Sequence, residues 1–258
     1  MKDAHGLLIV TDLDGTLLDG NGVVPEKNLR AIERFKAAGG RFTIASGRYG
    51  KSIESLFPGY QRYVNAPTIF SNGAVIFDEE KGSPISEVTG LAHDLIPKLE
   101  SVKAALPEMD IFPVVMRDGS LVRQWCCEVG EDERIYKTLF RGETELIERG
   151  RAYVEEHFPG FWATSLSCPS LLELVLPDAT KGASLRRLKK WFADRGEIIK
   201  TAAVGDYEND LDMLRAADIS ACPANAIPTV KAAAKIRLCD HNDGCIADLV
   251  DRLLEGRM

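Results

Sequence analysis

A short apolar run that ends in two carboxylates constrains this chain more than any other feature. The segment is Leu7-Leu8-Ile9-Val10-Thr11-Asp12-Leu13-Asp14-Gly15-Thr16. The run from Leu7 to Val10 reads as a strand buried on both faces, the pattern of a parallel sheet. In open α/β sheets, ligands bind outside the carboxyl ends of the strands. Asp12 and Asp14 therefore fall where ligands are held. A period of two sets them on one side while the strand lasts. Two carboxylates this close repel unless a cation accompanies them. Hard cations such as Mg²⁺ take oxygen ligands, so Mg²⁺ is the natural partner. Gly15 permits a turn that a Cβ would hinder.

The rest of the first ~80 residues continues the same theme, alternating strand and helix. Pro25 suits the first turn of a helix whose apolar stripe is Leu29, Ile32 and Phe35, and Gly39-Gly40 ends it. Arg41 to Ala45 is a second strand, running into Ser46-Gly47-Arg48, and Thr68 to Ser71 is a third. Asn72-Gly73 then turns into Ala74-Val75-Ile76-Phe77, a hairpin signal.

The pattern changes after Asp78. Glu79 to Pro84 is polar and rich in turn formers, as a linker is. Residues 84–177 then read as helix, strand, strand, repeated once: an αββαββ unit inserted into the α/β frame. The expected strands are Met109 to Met116, Leu121 to Cys127, Phe161 to Leu166 and Leu171 to Leu176. From Lys181 onward the α/β alternation returns. A strand Thr201 to Val204 leads into Gly205-Asp206, and a helix Ile246 to Leu254 closes the sequence. The expected architecture is an α/β, Rossmann-like parallel sheet core from residues 1–83 and 178–258, carrying an inserted α+β cap.

At 258 residues and 45% hydrophobic content, the chain has material for one core domain and a smaller second one. Its formal net charge of -7 disfavours general binding to nucleic acid or anionic membrane. An anionic substrate must be drawn by a local site. The six cysteines form no C-x-x-C pair, and Cys126 and Cys127 are adjacent, so reduced thiols in a cytoplasmic protein are expected. No stretch is long enough to span a bilayer. No obligate protein partner is evident.

Four separated pieces point to one sheet edge. The first is Asp12-Leu13-Asp14-Gly15-Thr16. The second is Ser46-Gly47-Arg48, where a hydroxyl and the amides opening the next helix form an anion cradle. The third is Lys181, where the insert ends and a helix begins. The fourth is Gly205-Asp206-Tyr207-Glu208-Asn209-Asp210, with three carboxylates and an amide after a strand. Trp125, Trp162 and Trp191 are expected to fill cores.

In the order D-x-D-G-T, Ser, Lys, G-D-x-x-N-D, the chain resembles the haloacid dehalogenase superfamily of phosphohydrolases. Asn72-Gly73-Ala74, Thr180-Lys181-Gly182 and Gly205 to Leu211 are similar to its Cof-type branch, whose cap lies between the second and third motifs. One departure is Ala221-Cys222-Pro223-Ala224-Asn225-Ala226, where that branch usually carries glycine or methionine before its Asn-Ala. The resemblance implies a Mg²⁺-dependent phosphatase of small phosphate monoesters, such as sugar phosphates or related metabolites. Asp12 would be the nucleophile and Asp14 the acid and base. Asp12, the carbonyl of Asp14, Asp206 and Asp210 would serve the metal. Ser46, Gly47, Lys181 and Asn209 would hold the phosphate, with Arg48 and Asn72 near it. A mutase would share Asp12 and differ in the cap. A phospho-aspartate signalling module also clusters Asp, Ser and Lys around Mg²⁺, but Asp14 and the insert suit turnover instead.

Overall fold

The computed structural model describes residues 3–257. The first segment builds β1 (Leu7–Thr11), α1 (Glu26–Ala37), β2 (Arg41–Ile44), α2 (Gly50–Leu56), β3 (Thr68–Phe70), β4 (Val75–Asp78) and β5 (Ser83–Glu87). The second builds β6 (Gly90–Leu91), α3 (Ala92–Ala105), β7 (Asp110–Arg117), β8 (Ser120–Arg123), β9 (Arg134–Arg141), α4 (Thr144–His157), β10 (Ala163–Cys168) and β11 (Leu171–Val175). The third builds α5 (Lys181–Ala193), β12 (Lys200–Val204), α6 (Leu211–Ala216), β13 (Ile219–Cys222), α7 (Pro228–Ala233), β14 (Ile236–Arg237) and α8 (Cys245–Glu255).

Five parallel strands form the main sheet in the order β14-β13-β12-β1-β2. β1, an interior strand, is buried from Leu8 to Thr11 because helices cover both faces. Ile9 joins a core with Ile32, Phe35, Leu249 and Val250 from α1 and α8. Leu8 and Val10 point the other way, to Leu185, Leu188, Met213 and Val230 from α5, α6 and α7. This two-sided burial is why β1 carries an unbroken apolar run. A parallel bridge between Ala45 and Ile69 continues the sheet to the antiparallel β3-β4-β5 unit.

The insert forms a second, antiparallel sheet in the order β10-β11-β9-β7-β8, with β6 also paired to β9. Leu99 and Val102 of α3 and Ile147 and Val154 of α4 pack on one face of it, around Phe140 and Leu172. The αββαββ expectation is corrected here. β9 is an additional strand, and it lies at the centre of the insert's sheet. Ser83–Glu87, where the linker was expected to pass into the insert, pairs instead with β4. Trp162 fills the insert's core and Trp191, on α5, packs part-buried against the main-sheet core, whereas Trp125 is exposed and lies tilted against Phe112 with ring centroids 4.6 Å apart. Among the described residues, no helix is long and apolar enough to cross a membrane.

The two edges of the main sheet do different work. At the amino edge, the Asp218 carboxylate, before β13, accepts from the Thr201 amide and hydroxyl, both at 2.8 Å, and from Lys189 at 2.9 Å. Partial burial opposes its charge, but these bonds win and hold its pKa down at about 2. A depressed carboxyl pKa contributes stability that is complete above the ordinary value near 4 and is lost as pH falls towards 2. Asp218→Asn should therefore cost about 1 kcal/mol at pH 7, allowing for solvent screening. That lowers Tm by ~2–4 °C and leaves kcat unchanged. The difference in Tm from wild type should shrink as pH falls from about 4 to about 2. Thermal melts across pH check this.

Candidate active site

At the carboxyl edge, β1, β2, β12 and the start of α5 bring the four sequence pieces together. Asp12 follows β1, and its amide donates to the Val204 carbonyl of β12 at 2.8 Å. Lys181 is the first residue of α5, set there by Thr180, whose hydroxyl caps the helix by accepting from the Ala183 amide at 3.2 Å. The Lys181 ammonium is buried and lies 2.5 Å from Asp12 Oδ1 and 2.6 Å from Asp210 Oδ1. Asp210 turns its other oxygen, Oδ2, to the backbone amides of Asp206 and Tyr207, at 3.0 and 3.2 Å. Asp206 accepts from the Thr16 hydroxyl at 2.8 Å.

Asp12, Asp206 and Asp210 each offer a carboxylate oxygen, all within 4.8 Å of one another. Burial raises the pKa of Asp12 well above its ordinary value, opposed by Lys181 and assisted by repulsion from Asp210 and Asp206. Burial and Asp210 push Asp206 up to about 6, against the Thr16 hydrogen bond. Lys181 responds in the opposite sense. Burial disfavours its charge, but Asp12 and Asp210 together outweigh burial and hold the ammonium firmly protonated. With all three carboxylates ionised, one ammonium would leave two negative charges uncompensated, which a divalent cation on oxygen ligands neutralises.

Gly15 is fixed by this cluster. Its φ is +73°, and a Cβ there would lie 2.5 Å from Asp206 Oδ2. Asn225 donates to the Gly15 carbonyl at 2.8 Å, so the departing segment Ala221–Ala226 braces the motif turn from the opposite side.

Asp14 is half-exposed and faces a cavity of ≈ 350 Å³ between the two sheets. Arg48 grips both its oxygens, Nε to Oδ2 and Nη2 to Oδ1, each at 2.8 Å. This bidentate fork fixes the carboxylate's orientation. Ser46 is buried and accepts from the Arg48 amide at 3.1 Å. Asn72 is buried with φ +59°; its Oδ1 is 3.5 Å from the Asn209 amide nitrogen, and its Nδ2 has no partner among the described residues. Asp12, Asp14, Gly47, Arg48, Asp206 and Asn209 all line the cavity. Ser46, Asn72, Lys181 and Asp210 stand behind or beside them.

The insert supplies the opposite wall through Arg123, Lys137, Leu139, Ser167, Cys168, Leu171 and Glu173. Lys137 and Glu173 escaped the sequence reading. Glu173 is the single charge in the otherwise apolar β11, whereas Lys137 shares β9 with Arg134 and Arg141 and carried no such signal. Tyr207, also on the wall, lies beside Cys168.

The family model for haloacid dehalogenase-like hydrolases matches residues 9–104 and 128–250. The chain belongs to that family. It is a Cof-type haloacid dehalogenase phosphatase, and its relatives match along nearly their whole length. One, the 5-amino-6-(5-phospho-D-ribitylamino)uracil phosphatase of Escherichia coli, is 26% identical over 264 residues, covering 96% of each chain. A haloacid dehalogenase-like hydrolase of B. subtilis superposes with a TM-score of 0.80 at 22% identity, covering 96% of this chain and 99% of that one. A sugar phosphatase of subclass IIB superposes with a TM-score of 0.79 at 20% identity, covering 95% and 98%. In this haloacid dehalogenase phosphatase the cap is thus the insert described above.

Gly15→Ala should push the Asp206 carboxylate off its Thr16 hydrogen bond and out of the carboxylate cluster, and it also strains the backbone at φ +73°. A displacement of about 1 Å at a reacting centre costs about a hundredfold. We expect that loss in kcat/KM on 4-nitrophenyl phosphate, with a smaller loss for Gly196→Ala, another positive-φ glycine, where a Cβ would meet nothing within 4 Å. Steady-state kinetics on both variants check it.

Proposed function

We propose that the protein is a Mg²⁺-dependent phosphatase of small phosphate monoesters, sugar phosphates or related metabolites, acting through an aspartyl-phosphate on Asp12. The observation that carries this reading is the buried Asp12–Lys181–Asp210 chain beside Asp206, in which one ammonium serves three carboxylates. The donor set fits Mg²⁺: Asp12, Asp206 and Asp210 would hold it, with the Asp14 carbonyl as a further ligand. When bound, it supplies positive charge against which an anionic ester can approach Asp12.

Asp12 attacks phosphorus in line, forming one P–O bond as the ester P–O bond breaks. Lys181 and the Ser46 hydroxyl face the equatorial oxygens, where charge must be stabilised. Asp14, fixed by Arg48, protonates the leaving oxygen and then takes a proton from the water that hydrolyses the intermediate. Asn209 and Asn72 orient this network, and the Gly47 backbone borders it. The cap excludes bulk water and shapes the space for the leaving group. The relatives named for a phosphorylated ribityl compound and for sugar phosphates support the small, hydroxylated substrate class.

Two measurements test the reading. Asp12→Asn should lower kcat on phosphate esters by at least about a thousandfold while keeping the fold. Full activity in that variant would contradict it. Mg²⁺ should also raise Tm, by the equivalent of about 2.7 kcal/mol at a hundred times its Kd. Asp206→Asn should lose most of that rise.

A further inference from the structure

The cap wall of the cavity holds an ion pair that the phosphoryl chemistry does not use. Lys137 of β9 and Glu173 of β11 are both buried, with Nζ 3.1 Å from Oε1. Lys137 also donates to the Gly47 carbonyl at 2.8 Å, which ties the cap to the phosphate loop. Replacing such a buried pair with apolar residues is often neutral or stabilising, so stability alone does not explain its place at a cavity wall. Its hydrogen-bonding capacity is also incomplete. Glu173 is 4% exposed, and its Oε2 has no hydrogen-bond partner among the described residues. Lys137 spends two of three N–H donors on Gly47 and Glu173.

We infer that Lys137 and Glu173 read the leaving group: Glu173 Oε2 accepts from one hydroxyl of the substrate, and the remaining Lys137 N–H donates to a neighbouring one. This deepens the phosphatase reading of the same site and rests on it. One free acceptor beside one free donor is the complement of vicinal hydroxyls, each of which both donates and accepts. An aryl group offers neither. A carboxylate-bearing leaving group would meet the Glu173 charge. The cavity, near the lower end for small-molecule sites, suits a short polyol chain rather than a nucleotide. An unsatisfied buried carboxylate oxygen is costly, and a hydroxyl donor relieves it only when the correct substrate is bound.

The route by which Lys137 reaches Gly47 supports a dedicated role. The register between β7 and β9 shifts where Val114 and Val115 face Lys137 and Ile135. The extra residue, Tyr136, is a bulge, and bulges re-aim side chains. Tyr136 packs into the catalytic domain's core and donates to Glu87 at 3.1 Å, next to Lys137 at the cavity. Both contacts hold β9 over the site.

The experiment compares wild type with Glu173→Met, which removes the acceptor at similar length, on a panel of C3–C6 polyol and sugar phosphates and on 4-nitrophenyl phosphate, with Mg²⁺ present. A lost hydrogen bond to a charged group corresponds to about ten- to a hundredfold. We expect kcat/KM on the preferred polyol phosphate to fall by that factor, mainly through KM, while the aryl ester stays within about twofold. Parallel losses on both esters, or no loss on either, would overturn the inference. A second arm needs no variant. Wild type should discriminate about tenfold or more against one deoxy analogue of its preferred polyol phosphate. Equal turnover of every deoxy analogue would overturn the inference alone. Wild-type protein inert towards all esters, the aryl one included, would overturn the phosphatase reading and this inference with it.

Discussion

The rest of the site depends on one buried ammonium. Lys181 lies between Asp12 and Asp210 with no side-chain exposure to solvent, and among the described residues it is the only cation paired with the proposed nucleophile, Asp12. Taking a lysine into a low-dielectric interior is expensive unless anions surround it. Here two do, and they outweigh the burial. The same arrangement leaves the anions in excess. One lysine serves three carboxylates, so the cluster is built short of positive charge. Its geometry is then kept by neutral donors: Thr16 on Asp206, and the amides of Asp206 and Tyr207 on Asp210. A site short of positive charge, and stiff while it waits, is suited to take up a divalent ion and a phosphate together.

The fold explains why this can be built at all. Helices cover both faces of the main sheet and leave its carboxyl edge to the segments after β1, β2 and β12 and to the start of α5. Chain-distant residues meet there because parallel strands all end on the same side. Lys181 and Asp12 are 169 positions apart in sequence, yet in direct contact. The insert between them is a separate antiparallel sheet with its own core, so it can cover the cavity without disturbing the charged cluster.

Much of this was legible in the sequence because the catalytic residues mark element ends. Asp12 and Asp14 interrupt an apolar strand, Ser46 follows a second, and Asp206 follows a third. Lys181 opens a helix, and a helix start is readable from Thr180 and Gly182. The insert was harder to read for a physical reason. β9, Arg134 to Arg141, carries three basic residues and a bulge at Tyr136, so a strict period of two fails along it. The strand that holds the insert's sheet together was therefore missed, and with it Lys137. Glu173 lay within a strand that was expected, but its role depends on a neighbouring strand that was not. The Arg48–Asp14 fork is a contact across 34 positions, which no local pattern encodes.

The account stands or falls on Asp12 carrying the phosphoryl group. The most direct test is rapid acid quench of the protein during turnover of a phosphate ester, followed by peptide mapping by mass spectrometry. The Asp14→Asn variant, slowed in the hydrolytic step, should accumulate the intermediate. The account predicts a phosphoryl group on the peptide that spans Asp12, and its loss when Asp12 is replaced by Asn. Phosphate released in turnover with no modified peptide, or a phosphoryl group on any other residue, would contradict it.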